Sequence, residues 1–429
     1  MTDVATPITG PRQRSFRGWW VLSGLFLVYA ASNGILVHSL PLLYPELIAT
    51  FGWTEAQVTL PATILLVVSA ITSPPVGYLL DKYSARLLLG LGAVGATAGL
   101  TLHAGITELW HMVVAYVVIA LALSLSGVVA NMFVLSRWFR KLHGRAAGIL
   151  LTASSLGGVL FPLVVGFCLQ QGGWRIALFV LAALAAGLML PAVLFLVRDR
   201  PEQDGFGHDG VALHKIDDGS SRDNRPAGIS LAQALRNRTF YLLAIGTATV
   251  WFCILALLQH QSIHLGRDLG IPSARLSVIF SVFFLSSMGG KLLFGWLGDR
   301  FRKERVMISS IVLLGLGLIL LRSANADNSS SLYLYAVIAG MGFSGAFTAI
   351  QVLLAHVFAG PSFGKILALL VLIDTLSGAL GTRVVATMRG ASGSYLPAID
   401  MMIGLCLGAC ACILLINWNR PAQTLERVA

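Results

Sequence analysis

The 429-residue chain is 56% hydrophobic and only 11% charged, and its mean hydropathy is +0.80. These values exclude a soluble enzyme, a secreted disulfide scaffold and a nucleic-acid-binding protein, and they indicate a polytopic membrane protein. The net charge of +11 is explained by topology if most basic residues lie in loops on one side of the membrane.

Apolar runs separated by polar breaks predict twelve membrane-spanning helices, arranged as six helices, a polar segment and six more. The expected spans of the first half lie at 19–40, 57–80, 87–106, 109–136, 146–170 and 174–197. Those of the second half lie at 239–264, 274–298, 306–321, 331–358, 364–388 and 395–418. The predicted fold class is an all-α membrane protein whose two six-helix halves, 19–197 and 239–418, are joined by a linker at 198–238. Residues 1–18 and 419–429 are expected to be tails.

The distribution of basic residues predicts that both chain ends lie in the cytoplasm. With this orientation, 23 of the 30 Lys and Arg residues fall on the cytoplasmic side and five fall in outer loops. Such a bias is the usual sign of orientation in multi-pass proteins. We therefore expect an integral, multi-pass protein of the cell (inner or plasma) membrane, surrounded by the lipid bilayer and monomeric.

The loop after the second span of each half carries the same pattern, a glycine followed four residues later by an aspartate and a basic residue. The pattern consists of Gly77, Asp81, Lys82 and Arg86 in the first copy and of Gly295, Asp299 and Arg300 in the second. The offset of 218 residues carries the whole second span onto the eighth, which predicts two homologous halves. Two such halves with a site between them are typical of a rocking transporter.

These loop residues are predicted to form a gate. A glycine lets two helices approach closely, and an aspartate with a basic neighbour at a helix end can bridge to the other half when the inner face is shut. The alternative is ordinary positive-inside charge with an incidental aspartate.

Both loops resemble the signature of the major facilitator superfamily, G-x-x-x-D-[RK]-x-G-x-[RK], although Ser84 and Arg302 replace its second glycine. Shorter patterns resemble the monocarboxylate transporter and oxalate:formate exchanger branch; they are Arg17-Gly-Trp-Trp, Phe51-Gly-Trp53-Thr, Arg137-Trp-Phe139, Gly173-Trp174-Arg175 and Gly290-Lys291. The resemblance implies transport of a small organic anion, by proton symport or by exchange. It also implies that Lys291 stands where the branch usually has an arginine that holds the substrate carboxylate.

Three charged residues lie inside the predicted spans, where a charge is costly and is a candidate for function: Lys291, Asp374 and Arg383. At about 1.5 Å per residue, Lys291 and Asp374 lie at a similar depth, roughly 10 to 14 Å from the cytoplasmic end. They can therefore meet across the cavity as a pair. In one interpretation, Asp374 neutralises Lys291 in the empty site and takes part in proton coupling; in the other, the pair only offsets two burial costs.

Arg383 follows Asp374 by nine residues, which places the two on opposite faces of a straight helix. It is either a second anion-binding charge, nearer the outside, or a residue that snorkels to the outer interface. Neutral polar residues at mid-span complete the predicted substrate site: Asn33, His38, Asn131, Gln259, His260 and Gln351. His260 is also a candidate for proton coupling because histidine titrates near neutral pH, unless it only bonds to a backbone group near the outer mouth.

The leading hypothesis is a secondary active transporter of a small carboxylate, a monocarboxylate, that works by alternating access with protons or a counter-anion as partners. The nearest rival is a proton-driven efflux pump for drugs or metabolites, but two intramembrane cations against one anion favour an anionic ligand. A membrane receptor is a distant third alternative. The sequence contains no ATP-binding loop and no metal-ligand or nucleophile pattern, so we expect no cofactor, no metal site, no enzyme activity and no nucleic-acid partner.

Overall fold

Helices account for almost all of the residues that the computed structural model describes, which are 16–140, 142–204, 209, 231–326, 328–358 and 363–416. Within these ranges, eleven helices are long and apolar enough to cross a membrane. One of them, His143–Leu196, is 54 residues long and is broken at Gly173, whose φ of 78° lies in the left-handed region. It therefore provides two spans, and the predicted total of twelve is confirmed. Most of the predicted linker, nearly all of the N-terminal tail and the whole C-terminal tail lie outside the described residues.

The spans are numbered in chain order. In the first half they are α1 (Gly18–Phe51), α2 (Glu55–Lys82), α3 (Ala85–Ala104), α4 (Leu109–Trp138), α5 (143–172) and α6 (174–196). In the second half they are α7 (Arg238–Asp268), α8 (Ser273–Arg300), α9 (Lys303–Arg322), α10 (Ser329–Val357), α11 (Phe363–Ser392) and α12 (Leu396–Leu414). The side at which α6 ends and α7 begins is called the linker side, and the opposite side is called the far side.

The first span is longer than predicted, because α1 continues past Leu40 to Phe51 instead of ending before Pro41. A π-helical segment at Gly34–Ser39 and a 3-10 turn at Leu40–Leu43 carry the helix through the proline. Such local changes in winding satisfy the backbone groups that a proline would otherwise leave unpaired. The predicted end of the first span at residue 40 was wrong.

The internal repeat is visible in the helix bounds. Helices α2 and α8 are both 28 residues long, and α3 and α9 are both 20 residues long, with an offset of 218 in each case. The turns before α2 and α8 also match, because Gly52 and Gly270 have φ values of 70° and 67°. A residue with a side chain is strained at such angles, which explains the glycine in both turns. The two homologous halves predicted from the sequence are confirmed.

The two halves meet along α5 with α8 and along α2 with α11. Gly158 of α5 makes the first contact close, since a Cβ at this position would lie 2.4 Å from the ring of Phe284 in α8. Nearer the far side, a Cβ on Gly166 would lie 2.1 Å from Ser277 Oγ. Small residues let helices pack closely in a membrane, where burial from water gives no driving force between helices. This helix pair also positions Lys291, nearer the linker side.

Candidate functional site

Lys291 lies in α8 at the interface between the two halves. Its Nζ donates a hydrogen bond to the Leu151 carbonyl oxygen of α5 at 3.0 Å and lies 3.3 Å from Ser154 Oγ in the same helix. The centroid of the Phe347 ring in α10 is 5.6 Å from Nζ. The side chain is half-buried, and no carboxylate among the described residues forms an ion pair with it. Lys291 is therefore a cation between the halves that has no acidic partner in the described part of the chain.

Two side chains of α1 lie near this ammonium group. His38 is close enough to Lys291 for a direct electrostatic interaction, and its ring packs on Phe284 with 4.1 Å between the ring centroids. The His38 Nδ1 atom is buried and has no hydrogen-bond partner within the described residues. The Tyr29 hydroxyl lies beside that of Ser154. A cation and two hydroxyl groups thus lie where α1, α5 and α8 converge, and the His38 ring packs on α8 two turns away from Lys291. An ammonium group with neighbouring hydroxyl donors suits a small anion.

Asp374 of α11 does not pair with Lys291 in this conformation. Its side chain is 3% exposed, and Oδ1 accepts a hydrogen bond from the Thr247 hydroxyl of α7 at 2.8 Å. One turn later, the Ser377 hydroxyl donates to the Ala248 carbonyl oxygen of α7, also at 2.8 Å. The predicted pair is therefore not formed, although the two residues lie at a similar depth in the membrane. The Lys291 side chain points toward α5, whereas the Asp374 side chain points toward α7.

Arg383 contacts the other half of the protein. It is exposed, and its Nη1 donates to the Ala56 carbonyl oxygen at the start of α2 at 2.8 Å. This contact lies at the far side of the interface between α2 and α11. The two predicted roles of Arg383 were a cavity-facing charge and a snorkelling residue. The structure shows a third role, a hydrogen bond between the two halves.

Charged side chains surround this contact, and we call Glu55, Arg267, Asp268, Arg383 and Arg389 the far-side cluster. Glu55 Oε1 of α2 lies 3.0 Å from Arg267 Nη1 and 3.9 Å from Arg389 Nη2, which are both in the second half. Arg389 Nη2 also donates to Asp268 Oδ1 at 2.7 Å. The cluster therefore joins α2 of the first half to α7 and α11 of the second.

Four members of the cluster were not sequence candidates. Glu55 lies inside the capping box at the start of α2, in which Thr54 and Gln57 exchange hydrogen bonds. Its sequence position therefore suggested only a local role at the helix start. Arg267 and Arg389 were counted only as outer-loop charges. The positive-inside rule disfavours basic residues in outer loops. The presence of Arg267 and Arg389 there was therefore the sequence feature that could have identified them as functional candidates.

The family model of the Major Facilitator Superfamily matches residues 21–264 and 261–427. This chain belongs to the Major Facilitator Superfamily. Its resemblance to that family, predicted from the repeated loops, is confirmed. The family consists of multi-pass membrane transporters and not of enzymes.

The relatives of this protein have names that state different functions, transport in one case and sensing in another. Monocarboxylate transporter 13 of Bos taurus is 26% identical over 388 residues, which are 88% of this chain and 84% of the relative. Membrane sensor protein UhpC of Salmonella typhimurium is 23% identical over 262 residues, 60% of this chain and 59% of the relative. Among solved structures, a bacterial homologue of the human lysosomal transporter Spinster, in an inward-facing and unoccupied conformation, matches with a TM-score of 0.75 at 16% identity. That match covers 97% of this chain and 99% of the other, and it shows the fold.

The charged residues of the two repeated loops make contacts within their own halves of the facilitator. Arg86 donates to two backbone carbonyl oxygens at the end of α6, and its N–H donates to Asp199 Oδ1 at 2.9 Å. Lys82 and Arg300 lie over aromatic rings of their own helices, at 4.4 and 5.5 Å from the ring centroids. The two loop aspartates, Asp81 and Asp299, are exposed. The predicted bridges between halves are not formed by these contacts.

The loop glycines do not mediate close helix packing in this conformation. A Cβ on Gly77 or on Gly295 would meet no atom within 4 Å. The expected close approach is therefore absent here, because space surrounds the linker-side ends of α2 and α8 at these positions. The far-side cluster, in contrast, holds the halves together at the opposite end.

The predicted polar residue of α4 has a structural contact. Asn131 is fully buried, and its Nδ2 donates to two backbone carbonyl oxygens, at 2.7 and 2.8 Å, where α4 is broken at Gly127. The amide thereby satisfies groups that the broken helix would leave unpaired. Asn33 and Gln351 are half-buried, and neither side chain forms a hydrogen bond with another described residue. These two remain open as substrate contacts, whereas Asn131 faces the interior of its own half.

The predicted polar pair of α7 is buried beneath the far-side cluster. His260 Nε2 donates to the Thr382 carbonyl oxygen at 2.9 Å, and Nδ1 accepts from the Tyr395 hydroxyl at the same distance. Gln259 Oε1 accepts from the Tyr44 hydroxyl of α1 at 2.9 Å and so links the halves. Both ring nitrogens of His260 are thus used within the second half, as its alternative interpretation expected. Among the described residues, no three His, Cys, Asp or Glu side chains are placed to hold a metal ion.

Proposed function

We propose that this facilitator is a secondary active transporter of a small organic anion, a monocarboxylate, and that Lys291 binds the substrate carboxylate. The observation that carries the proposal is the ammonium group between the halves, which has no carboxylate partner among the described residues. A half-buried charge within a membrane span is costly without a counter-ion, and binding of an anion offsets that cost. The similarity to a protein named a monocarboxylate transporter supports the same substrate class.

The surroundings of Lys291 suit a carboxylate with a short apolar body. Lysine is a compact point charge without the bidentate fork of arginine, so a second contact has to come from neighbouring donors. The Ser154 hydroxyl, 3.3 Å from Nζ, and the adjacent Tyr29 hydroxyl are placed to supply it. The rings of Phe284 and Phe347 would then border the apolar part of the substrate.

Alternating access would use the two different ends of the interface. A rocking motion would break the far-side cluster and bring the linker-side loops of the halves together. The glycines at 77 and 295, which now face space, would allow that approach, and the loop charges would then bridge the halves. Asp374 is the proposed proton carrier, because its buried carboxylate is held by one hydroxyl group and protonation breaks no ion pair.

A second candidate is a membrane sensor that binds an anion without moving it, which the similarity to UhpC favours. A sensor and a transporter would share the anion site at Lys291. They differ in whether a bound acid crosses the membrane. An efflux pump for organic cations would need acidic groups between the halves. The described contacts place the positively charged Lys291 there instead, which disfavours a cationic substrate.

Uptake into proteoliposomes tests the proposal. Purified protein is reconstituted and offered labelled pyruvate, lactate, oxalate, glucose phosphate and an organic cation, with and without an imposed pH gradient. We expect saturable uptake of a monocarboxylate that empty liposomes do not show. Binding of an acid without uptake would identify a sensor, and transport of the organic cation alone would refute the anion assignment.

A further inference from the structure

The far-side cluster contains more positive charge than a contact between the halves requires. Three arginines of the second half, Arg267, Arg383 and Arg389, converge on the start of α2, where Glu55 is the acidic group of the first half. Asp268 belongs to the same half as the arginines, and His264 Nδ1 lies 3.2 Å from its Oδ2. With the histidine neutral, the second half contributes +2 to the cluster and the first half contributes −1.

The arginines of the cluster have unused hydrogen-bond donors. Arg389 Nε is buried and has no partner among the described residues. Arg267 is 48% exposed at its side chain and makes a single hydrogen bond to Glu55. By comparison, Arg322 on the same side of the protein holds Asp400 through two hydrogen bonds. Since a guanidinium binds a carboxylate best through two parallel N–H bonds, the cluster is incompletely satisfied by Glu55.

We propose that Arg267 and Arg389 form a carboxylate-binding station at the far-side entrance, which Glu55 occupies when this end is closed and an organic anion occupies when it opens. Opening carries Glu55 away with the first half and leaves the +2 charge of the second half facing the entrance. A charged cleft of this kind raises the local concentration of oppositely charged ligands and speeds their association by about 10 to 10³. Glu55 is thus a tethered competitor of the substrate. The station rests on the anionic substrate class of the proposed function.

Chemical modification of arginine tests the station without requiring transport. Phenylglyoxal labelling is quantified by peptide mass spectrometry in 100 mM sodium acetate and, separately, in sodium chloride of the same ionic strength. In chloride, Glu55→Gln is expected to raise the labelling rate of Arg267 at least threefold over the wild type. Acetate is expected to reverse at least half of that increase, because its carboxylate replaces the one removed.

The matched control is Arg322, whose partner is removed by Asp400→Asn in the same molecule. This arginine lies on the same side but has no second arginine beside it in the described contacts. Acetate is expected to change its labelling less than 1.5-fold. Equal protection of Arg322 and Arg267, or no protection of Arg267, would overturn the station and leave the cluster as a contact between the halves.

Uptake kinetics give a second readout. Arg267→Gln is expected to lower kcat/KM for far-side uptake about tenfold at low salt and to flatten its salt dependence, whereas Arg322→Gln changes neither. If no anion is taken up but acetate still protects Arg267 from labelling, the proposed transport function is overturned and the station is not. Intact uptake without acetate protection would overturn the station alone.

Discussion

Replacement of Lys291 by glutamine removes the positive charge between the halves while retaining a polar side chain of similar length. Two unit charges 4 Å apart interact by about 4 kcal/mol at the effective dielectric constant of about 20 found for such sites. Lys291 is only half-buried, which weakens this interaction through solvent screening, so we expect a net loss of about 2 kcal/mol. At 1.4 kcal/mol per factor of ten, that loss weakens anion binding about 30-fold.

The assay is concentration-dependent uptake of the transported acid into proteoliposomes. Lys291→Gln should raise KM about 30-fold at an unchanged thermal unfolding temperature. Lys291→Arg should retain most of the affinity because it keeps the charge and adds a bidentate donor. Lys365→Gln, an exposed lysine at the linker side, is the matched control and should match the wild type. A KM for Lys291→Gln within twofold of the wild type would refute the assignment, as would Lys291→Arg being as weak as the glutamine variant.

Three further substitutions separate structural from functional roles. Asp374→Asn should keep transport but lose its dependence on a pH gradient in the uptake assay; unchanged proton-driven uptake would exclude Asp374 from coupling. Gly158→Val forces methyl groups against Phe284 and should cost about 1 to 3 kcal/mol, lowering both thermal stability and uptake, whereas Gly148→Val, with no atom within 4 Å of its Cβ, should change neither. Asn131→Ala removes two bonds of about 1 kcal/mol each and should lower the unfolding temperature at constant KM. A raised KM at constant unfolding temperature would instead identify Asn131 as a substrate contact.

The architecture was predictable because it depends on patterns that are local in the sequence. Apolar runs of membrane length predicted the spans, and a glycine and an aspartate repeated at a fixed offset predicted the two halves. The structure keeps that offset of 218 residues in the helix bounds themselves. The predicted end of the first span near Leu40 was wrong, because a π-helical segment at Gly34–Ser39 and a 3-10 turn at Leu40–Leu43 let the helix continue.

The site was predictable only in part. The sequence indicates how deep a residue lies in its span, but it does not indicate toward which neighbouring helix the side chain points. Lys291 was identified as a charge inside a span, but its neighbours on α5 depend on how the halves pack. Asp374 has a similar predicted depth and nevertheless binds Thr247. The far-side cluster joins residues separated by 212 positions, such as Glu55 and Arg267, and no local pattern connects them.

Counterflow tests most directly whether an anion bound at Lys291 is moved across the membrane by alternating access. Proteoliposomes loaded with unlabelled acid are diluted into a trace of the labelled acid, and the accumulation of label is followed. We predict transient accumulation above equilibrium with the wild-type protein and Lys365→Gln, and its loss with Lys291→Gln. Equal accumulation in wild-type and Lys291→Gln proteoliposomes would contradict the role of Lys291, and the absence of counterflow for every acid of the panel would contradict anion transport itself.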